Sequence, residues 1–199
     1  MRVSVCTSVL NQSEYLKRMI ESVRGQSFED WELVIVDDGS TEDIQGVVSA
    51  FNDPRIRLHI FPTNRGIPHG LNWALEHAKG EFVQPLSADE WIEKDKLKIQ
   101  VETFDKHPEI SCIWGLPGKG LMGERPLWEQ NVLRAHNRSR EAWVRTLLNL
   151  ESIPIGGASM LMRKSAMDEI GVFDPKCFYC SDLEWFVRFF KKYDGLVLP

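Results

Sequence analysis

The sequence predicts an α/β fold: a Rossmann-like, doubly wound, mostly parallel sheet followed by a smaller α/β extension. Three observations carry this. Short apolar runs alternate with amphipathic stretches up to about residue 115. The run WELVIV (31–36) is almost continuously apolar, as strands buried on both faces are. Turn-forming Asp, Asn, Gly and Ser residues stand where the runs stop.

Taken in order, Arg2–Cys6 is a β-branched strand. Asn11 and Ser13 are placed to cap a helix from about Glu14 to Arg24, whose Leu16, Met19, Ile20 and Val23 share a face. Trp31–Val36 is the second strand, and Asp37-Asp38-Gly39-Ser40-Thr41 ends it and caps a helix to about Phe51. Ile56–Phe61 is the third strand. Asn64-Arg65-Gly66 turns into a helix carrying Leu71, Ala74, Leu75 and Ala78, which Gly80 stops. Glu81–Leu86 is the fourth strand, Lys94–Lys106 a helix, and Ile110–Trp114 the fifth strand. Residues 116–127 are Gly- and Pro-rich loop. Helices over about 128–136 and 139–149, a strand at Ala158–Met162, a short helix at Lys164–Ile170 and an amphipathic helix at Leu183–Lys192 complete the chain. The closing YDGLVLP reads as a turn entering a strand cut in mid-element, so a fragment of a longer chain is expected.

Composition narrows the function. The 199 residues are 43% apolar and 27% charged, ordinary for one globular domain. There is no apolar run of ~18 residues to span a bilayer. MRVSVCTSVL reads as a strand rather than a signal peptide, so a cytoplasmic location and free thiols at Cys6, Cys112, Cys177 and Cys180 are expected. A net charge of −5 argues against a nucleic-acid partner. The stretch from Lys119 to Arg145 runs the other way, with Arg125, Arg134, Arg138 and Arg140 against Glu124, Glu129 and Glu141. A solvated helical face is the simpler reading. A patch for an anionic acceptor or a membrane surface is the sharper one.

In an open parallel sheet, ligands bind outside the carboxyl ends of the strands. There stand Thr7-Ser8, Asp37-Asp38, the 61–66 segment and Ser87-Ala88-Asp89-Glu90. Two of these ends carry paired carboxylates. Asp caps helices, so one pair alone is unremarkable. Two pairs at one rim repel each other unless a cation or a hydrogen-bonding ligand compensates, and hard divalent cations choose carboxylate and phosphate oxygens. The rim therefore reads as a site for a metal–diphosphate ligand.

Other devices fail on context. No P-loop is present. Gly118–Gly123 fits G-x-G-x-x-G but does not open a helix directly after a strand. Cys177-Phe178-Tyr179-Cys180 has no second ligand pair for zinc. Asn137-Arg138-Ser139 fits the glycosylation sequon, which a cytoplasmic protein does not use. Trp114, Trp128, Trp143 and Trp185 could form a stacking platform for a ligand, though core packing explains them as well.

Three blocks then carry a resemblance. VSVCTSVLNQSEYLKRMIESVRGQSFEDWELVIVDDGSTED resembles the opening of the family 2 glycosyltransferases, which have the GT-A fold. NRGIPHGLNWALEHAKGEFVQPLSADE resembles their next block, leading to the DXD motif, and IGGASMLMRKSAMDEIGVFDPKCFYCSDLEWFVRF their acceptor-side block. The resemblance implies a single domain over 1–199, with 1–115 the nucleotide-sugar half and 116–199 the acceptor half. It implies an inverting, metal-dependent transfer from a nucleotide-diphosphate sugar, a UDP-sugar being the expected donor, to a hydroxyl of a glycan or lipid-linked acceptor. Surface polysaccharide assembly and peripheral membrane association follow from the same resemblance.

By position, it implies that Asp38 holds the nucleotide base and Asp37 supports its loop, with Ser8 and Ser87 also at the nucleotide sugar. Asp89, the final DXD position, holds Mn²⁺ or Mg²⁺, and Glu90 orients a ligand. Ser87 stands where an Asp is usual, and Ser181 where a Glu usually precedes the base. Asp182 is the implied general base, with Glu184 in reserve. Two rivals remain at this stage: nucleotidyl transfer to a sugar phosphate, and a non-catalytic nucleotide-sugar-binding subunit.

Overall fold

In the computed structural model the described residues are 1–115, 140–148, 157–177 and 180–198. Their strands are β1 (Val3–Val9), β2 (Trp31–Asp37), β3 (Ile56–Ile60), β4 (Phe82–Pro85), β5 (Cys112–Gly115), β6 (Met160–Arg163) and β7 (Gly195–Leu198). The helices are α1 (Ser13–Arg24), α2 (Ile44–Ser49), α3 (Ile67–Glu76), α4 (Lys96–Lys106), α5 (Arg140–Leu148), α6 (Lys164–Ile170) and α7 (Ser181–Phe190), with a 3₁₀ turn at Gly157–Ser159.

The strands form one sheet in the order β3-β2-β1-β4-β6-β5-β7. β1 to β4 are parallel, in a register that pairs Val9 with Asp37, Asp37 with Ile60 and Cys6 with Pro85. Their carboxyl ends therefore share one rim. Here the structure departs from simple alternation. β5 does not join β4: β6 lies between them, antiparallel to both, and β7 adds in parallel beyond β5. The sequence shows that a strand exists at 112–115 but not what it pairs with, because pairing is a long-range choice.

Both faces of the sheet are covered. Along β2, Leu33 and Ile35 join Leu16, Met19, Ile20, Leu97 and Phe104 in one cluster, while Val34 and Val36 join Ala74, Leu75, Trp114, Trp185 and Phe189 in the other. Side chains alternate in direction along a strand, so two buried faces require apolar residues at every position. Trp114, Trp143 and Trp185 are all buried in this aromatic packing, which removes them as a sugar platform; Trp128 lies outside the described residues. So do the G-x-G-x-x-G segment, the sequon and the basic residues Lys119 to Arg138. Of that stretch Arg140 and Arg145 are described, both exposed, and Arg140 donates to the Lys192 carbonyl at 2.8 Å. The four cysteines are free, Cys6 and Cys112 in the core. Among the described residues no helix is long and apolar enough to cross a membrane.

At the amino ends of the strands, opposite the rim, a buried carboxylate ties three strands together. Glu32 accepts from Ser4 Oγ at 2.7 Å and from the Lys79 backbone N–H at 2.7 Å, while Arg57 Nη2 donates to its other oxygen at 2.7 Å. Burial works against this charge, but the hydrogen bonds prevail and hold its pKa below 4.5. A lowered folded-state pKa contributes stability that is complete above the unfolded value and lost as pH falls through the folded one. Glu32→Gln should therefore cost about 1–3 kcal/mol in urea unfolding at neutral pH, and that deficit should shrink below about pH 4.

Candidate functional site

The four loops that leave the parallel strands at the rim enclose a cleft of about 880 Å³. Ser8, Asp38, Asn64, Arg65, Gly66, Ser87, Asp89 and Asp182 all line it. Ser8 comes from β1, Asp38 from the end of β2, Arg65 and Gly66 from the entry to α3, Ser87 and Asp89 from the loop after β4, and Asp182 from the first turn of α7. Residues separated by up to 174 positions thus meet in one cavity, and five of the six residues proposed from sequence are in its wall.

Asp38 is 2% exposed, and its carboxylate is held from across the rim. The Arg65 N–H donates to Oδ1 and the Gly66 N–H to Oδ2, each at 2.8 Å. It does not cap the helix that follows it; that work falls to Asp43, which accepts from the Gly46 N–H. Gly66 takes φ +94°, a conformation that a side chain would strain. The Arg65 guanidinium sits 4.8 Å from the Phe61 ring centroid and supplies a cation to the lining.

Asp37 does not reach the cleft. Its Oδ1 accepts from the Ser40 N–H at 2.9 Å and shapes the turn. Neighbouring loops brace that turn further. Asn11 Oδ1 accepts from the Thr41 N–H at 2.8 Å, and Glu42 accepts from the Ser13 N–H at 2.9 Å. Asn11 and Ser13 are therefore not helix caps: α1 receives its capping carboxylate from Glu42 in the adjacent loop.

The loop after β4 repeats the division. Glu90 folds back, accepting from the Ser87 N–H at 3.3 Å, while its own N–H donates to the Ser87 carbonyl at 3.1 Å. One oxygen of its carboxylate thus braces the turn. Ser87 and Asp89 are exposed to the cleft, and Asp89 has no hydrogen-bond partner among the described residues. In each acidic pair one carboxylate shapes its own loop and the other faces the cavity. The described residues hold no cluster of three potential metal ligands. A free carboxylate in a cleft still suits a hard cation that takes its other oxygens from phosphates and water.

Asp182 lies in the first turn of α7, after the N-cap residue Cys180; one of its oxygens accepts from the Leu183 N–H at 2.8 Å. Glu184 does not share the cleft, since both its oxygens accept from the Arg188 guanidinium. Two positioning residues were missed in the sequence. Asn72 on α3 makes a reciprocal pair with Phe173, donating to its carbonyl at 2.7 Å and accepting from its N–H at 3.0 Å. This ties α3 to the segment that leads to Asp182. Gly70 faces Ser8: a Cβ there would lie 2.1 Å from Ser8 Oγ. A glycine mid-helix and an Asn among apolar helix positions were the available signals.

A mostly parallel sheet whose acid-bearing loops enclose a cleft at their carboxyl ends is the architecture of the GT-A fold, and the comparisons agree. The sequence profile of Glycosyl transferase family 2 matches residues 4–170, and the chain belongs to that family. TuaG of Bacillus subtilis, a glycosyltransferase assigned to teichuronic acid biosynthesis, is 36% identical over 124 residues, 61% of this chain and 48% of that protein. The chondroitin synthase of Escherichia coli is 32% identical over 114 residues, 56% of this chain and 16% of that one. The chain thus spans half or less of the length of these relatives.

Two solved structures share the fold over the whole chain. TarS 1-349 of S. aureus in complex with UDP-GlcNAc has a TM-score of 0.77 at 22% identity, with 56% of it covered. The mannosyltransferase PcManGT of Pyrobaculum calidifontis, in complex with GDP-Man and Mn²⁺, has a TM-score of 0.77 at 24% identity, with 55% covered. Asp182 lies beyond the residues that the family profile matches.

The close approach of α3 to β1 gives a test. Gly70→Ala should push α3 away from Ser8 and destabilise the fold by about 1–3 kcal/mol in urea unfolding.

Proposed function

We propose that the cleft binds a nucleotide-diphosphate sugar with a divalent cation and transfers the sugar, with inversion, to a hydroxyl of a growing glycan or a lipid-linked acceptor. The single observation that carries this is the convergence of Asp38, Ser87, Asp89 and Asp182 on one cavity of about 880 Å³. The relatives named for teichuronic acid and chondroitin favour polysaccharide assembly, and membership of family 2 disfavours nucleotidyl transfer. The structures with UDP-GlcNAc and with GDP-Man differ in the nucleotide they hold, and a UDP-sugar is the donor we would test first.

In this reading the base lies against Asp38. Two of the lone pairs on Asp38 are already taken by backbone N–H groups, and the remaining ones are free to accept an imide or amide proton of the base. Ser8 and Ser87 offer hydroxyls to the sugar-nucleotide, and the turn set by Asp37 holds the rim in shape. Asp89 would hold Mn²⁺ or Mg²⁺, which when bound neutralises the charge of the diphosphate. Asp182 takes the proton from the acceptor hydroxyl. The hydroxyl oxygen bonds to the anomeric carbon, and the carbon–oxygen bond to the diphosphate breaks on the opposite face, its electron pair leaving with the nucleoside diphosphate. The oxygen of Asp182 that is not bonded to the Leu183 N–H is the one placed to act. A serine at 87 recognises a ribose without adding charge, so affinity here depends more on Asp89 than it would with a carboxylate at both positions.

Asp182→Asn should lower kcat by about 10²–10⁴-fold while UDP binding is kept; near-normal turnover would reject Asp182 as the base. Asp89→Ala should remove the gain in UDP affinity that Mn²⁺ gives, followed by calorimetry with and without metal. The anomeric configuration of the product, read by NMR, tests inversion. A protein that neither transfers sugar nor hydrolyses any donor would fit the non-catalytic reading.

A further inference from the structure

Beneath the loop that carries Ser87 and Asp89 lies a buried polar network that the chemistry above does not use. Lys96, at the start of α4, donates to Gln84 Oε1, to Gln100 Oε1 at 2.7 Å and to the Met160 carbonyl at 3.4 Å. Gln84 Nε2 donates to the carbonyls of Pro85 at 2.7 Å and Gly157 at 2.5 Å. Gln100 Nε2 donates to the carbonyls of Ile113 at 3.2 Å and Ser159 at 2.9 Å. Both glutamines are essentially fully buried.

The donor arithmetic of this network is closed. An ammonium has three protons and meets three acceptors; each amide NH₂ has two and meets two. Each amide oxygen faces the ammonium, so the orientation of both glutamines is fixed by Lys96. No carboxylate pairs with Lys96 among the described residues. Cys112 on β5 is its titratable neighbour, and burial has pushed that thiol well up. Burial, the dominant influence, draws Lys96 itself down to about 7. A buried ammonium without a counter-charge is a poor way to add stability, and its use here is directional.

What it directs is the floor of the cleft. Pro85, Gly157 and Met160 line the cavity, the first from β4 and the others from the segment returning out of the acceptor side. These two pieces approach closely: a Cβ on Gly157 would lie 3.0 Å from the Pro85 carbonyl oxygen. The Ser87–Asp89 turn begins two residues after Pro85.

We infer that Lys96 is a positioning residue: through Gln84 and Gln100 it fixes the loop bearing Ser87 and Asp89 against the acceptor-side segment at Gly157–Met160, and so sets donor affinity. The inference rests on the nucleotide-sugar reading of the cleft. Lys96→Met has almost the same shape and no donors. It leaves two amide oxygens and one carbonyl unmatched.

The test uses amide exchange of the metal-free protein at about pH 6, where the lysine is charged, together with UDP calorimetry in Mn²⁺. In Lys96→Met, peptides spanning 84–90 and 157–162 should exchange about tenfold faster while α1 is unchanged. UDP affinity should fall about tenfold. Donor KM should rise to match, with kcat at saturating donor within about threefold of wild type. Gln84→Met cuts the ties to Pro85 and Gly157 and one acceptor of Lys96, leaving the bonds of Lys96 to Gln100 and Met160; it should show the same local pattern and decides the matter if Lys96→Met does not fold. Unchanged exchange in both peptides, or faster exchange spread equally over α1, would overturn the inference. If the wild type itself binds no UDP with Mn²⁺, the nucleotide reading fails, and the exchange comparison still judges the role of Lys96.

Discussion

The clasp between the Asp38 carboxylate and the N–H groups of Arg65 and Gly66 is the interaction on which the rim depends. A parallel sheet delivers its loops to one end, and acidic loops crowded there repel each other. Two backbone dipoles aimed at Asp38 meet its charge without spending a side chain. They also fix where α3 begins. From that start α3 passes Ser8 at Gly70 and grips Phe173 through Asn72, so the placement of Asp182 is linked to the end of β2 by one continuous element.

Much of this was legible in the sequence because it is local. Leu33–Val36 had to be a strand covered on both sides, and β6, α6 and α7 emerge close to where their patterns put them. The acidic strand ends pointed to the rim for the same reason. What was hidden is non-local. Nothing in Asn11 or Ser13 reveals that the loop after β2 will take over one side chain and supply the cap for α1. Nothing in the spacing of Asp37 from Asp38, or of Asp89 from Glu90, says which of the two turns inward. The structure answers through the loops: Asp37 and Glu90 each accept from a backbone amide of their own turn, while Asp38 and Asp89 line the cavity.

That division explains how a site rich in acid can form before any ligand arrives. Asp37 and Glu90 are satisfied by their own loops, and Asp38 by the entry to α3. Asp89 and Asp182 retain unsatisfied capacity, and both are exposed. Charge that must be compensated from outside is thereby reduced to the two residues with proposed chemical roles.

The reversal at β6 has a consequence for how the chain assembles. β1 to β4 neighbour one another and are complete by residue 85, so this quartet has all its partners early in synthesis. β5 finds none among them: its partners β6 and β7 begin at Met160 and Gly195. Until β6 emerges, one side of β4 is an open edge and Cys112, Ile113 and Trp114 are a greasy segment in waiting. The nascent protein therefore carries this apolar stretch without its sheet partners while the residues between β5 and β6 are being made, and a stall within that interval would leave a sticky half-sheet rather than a smaller working protein.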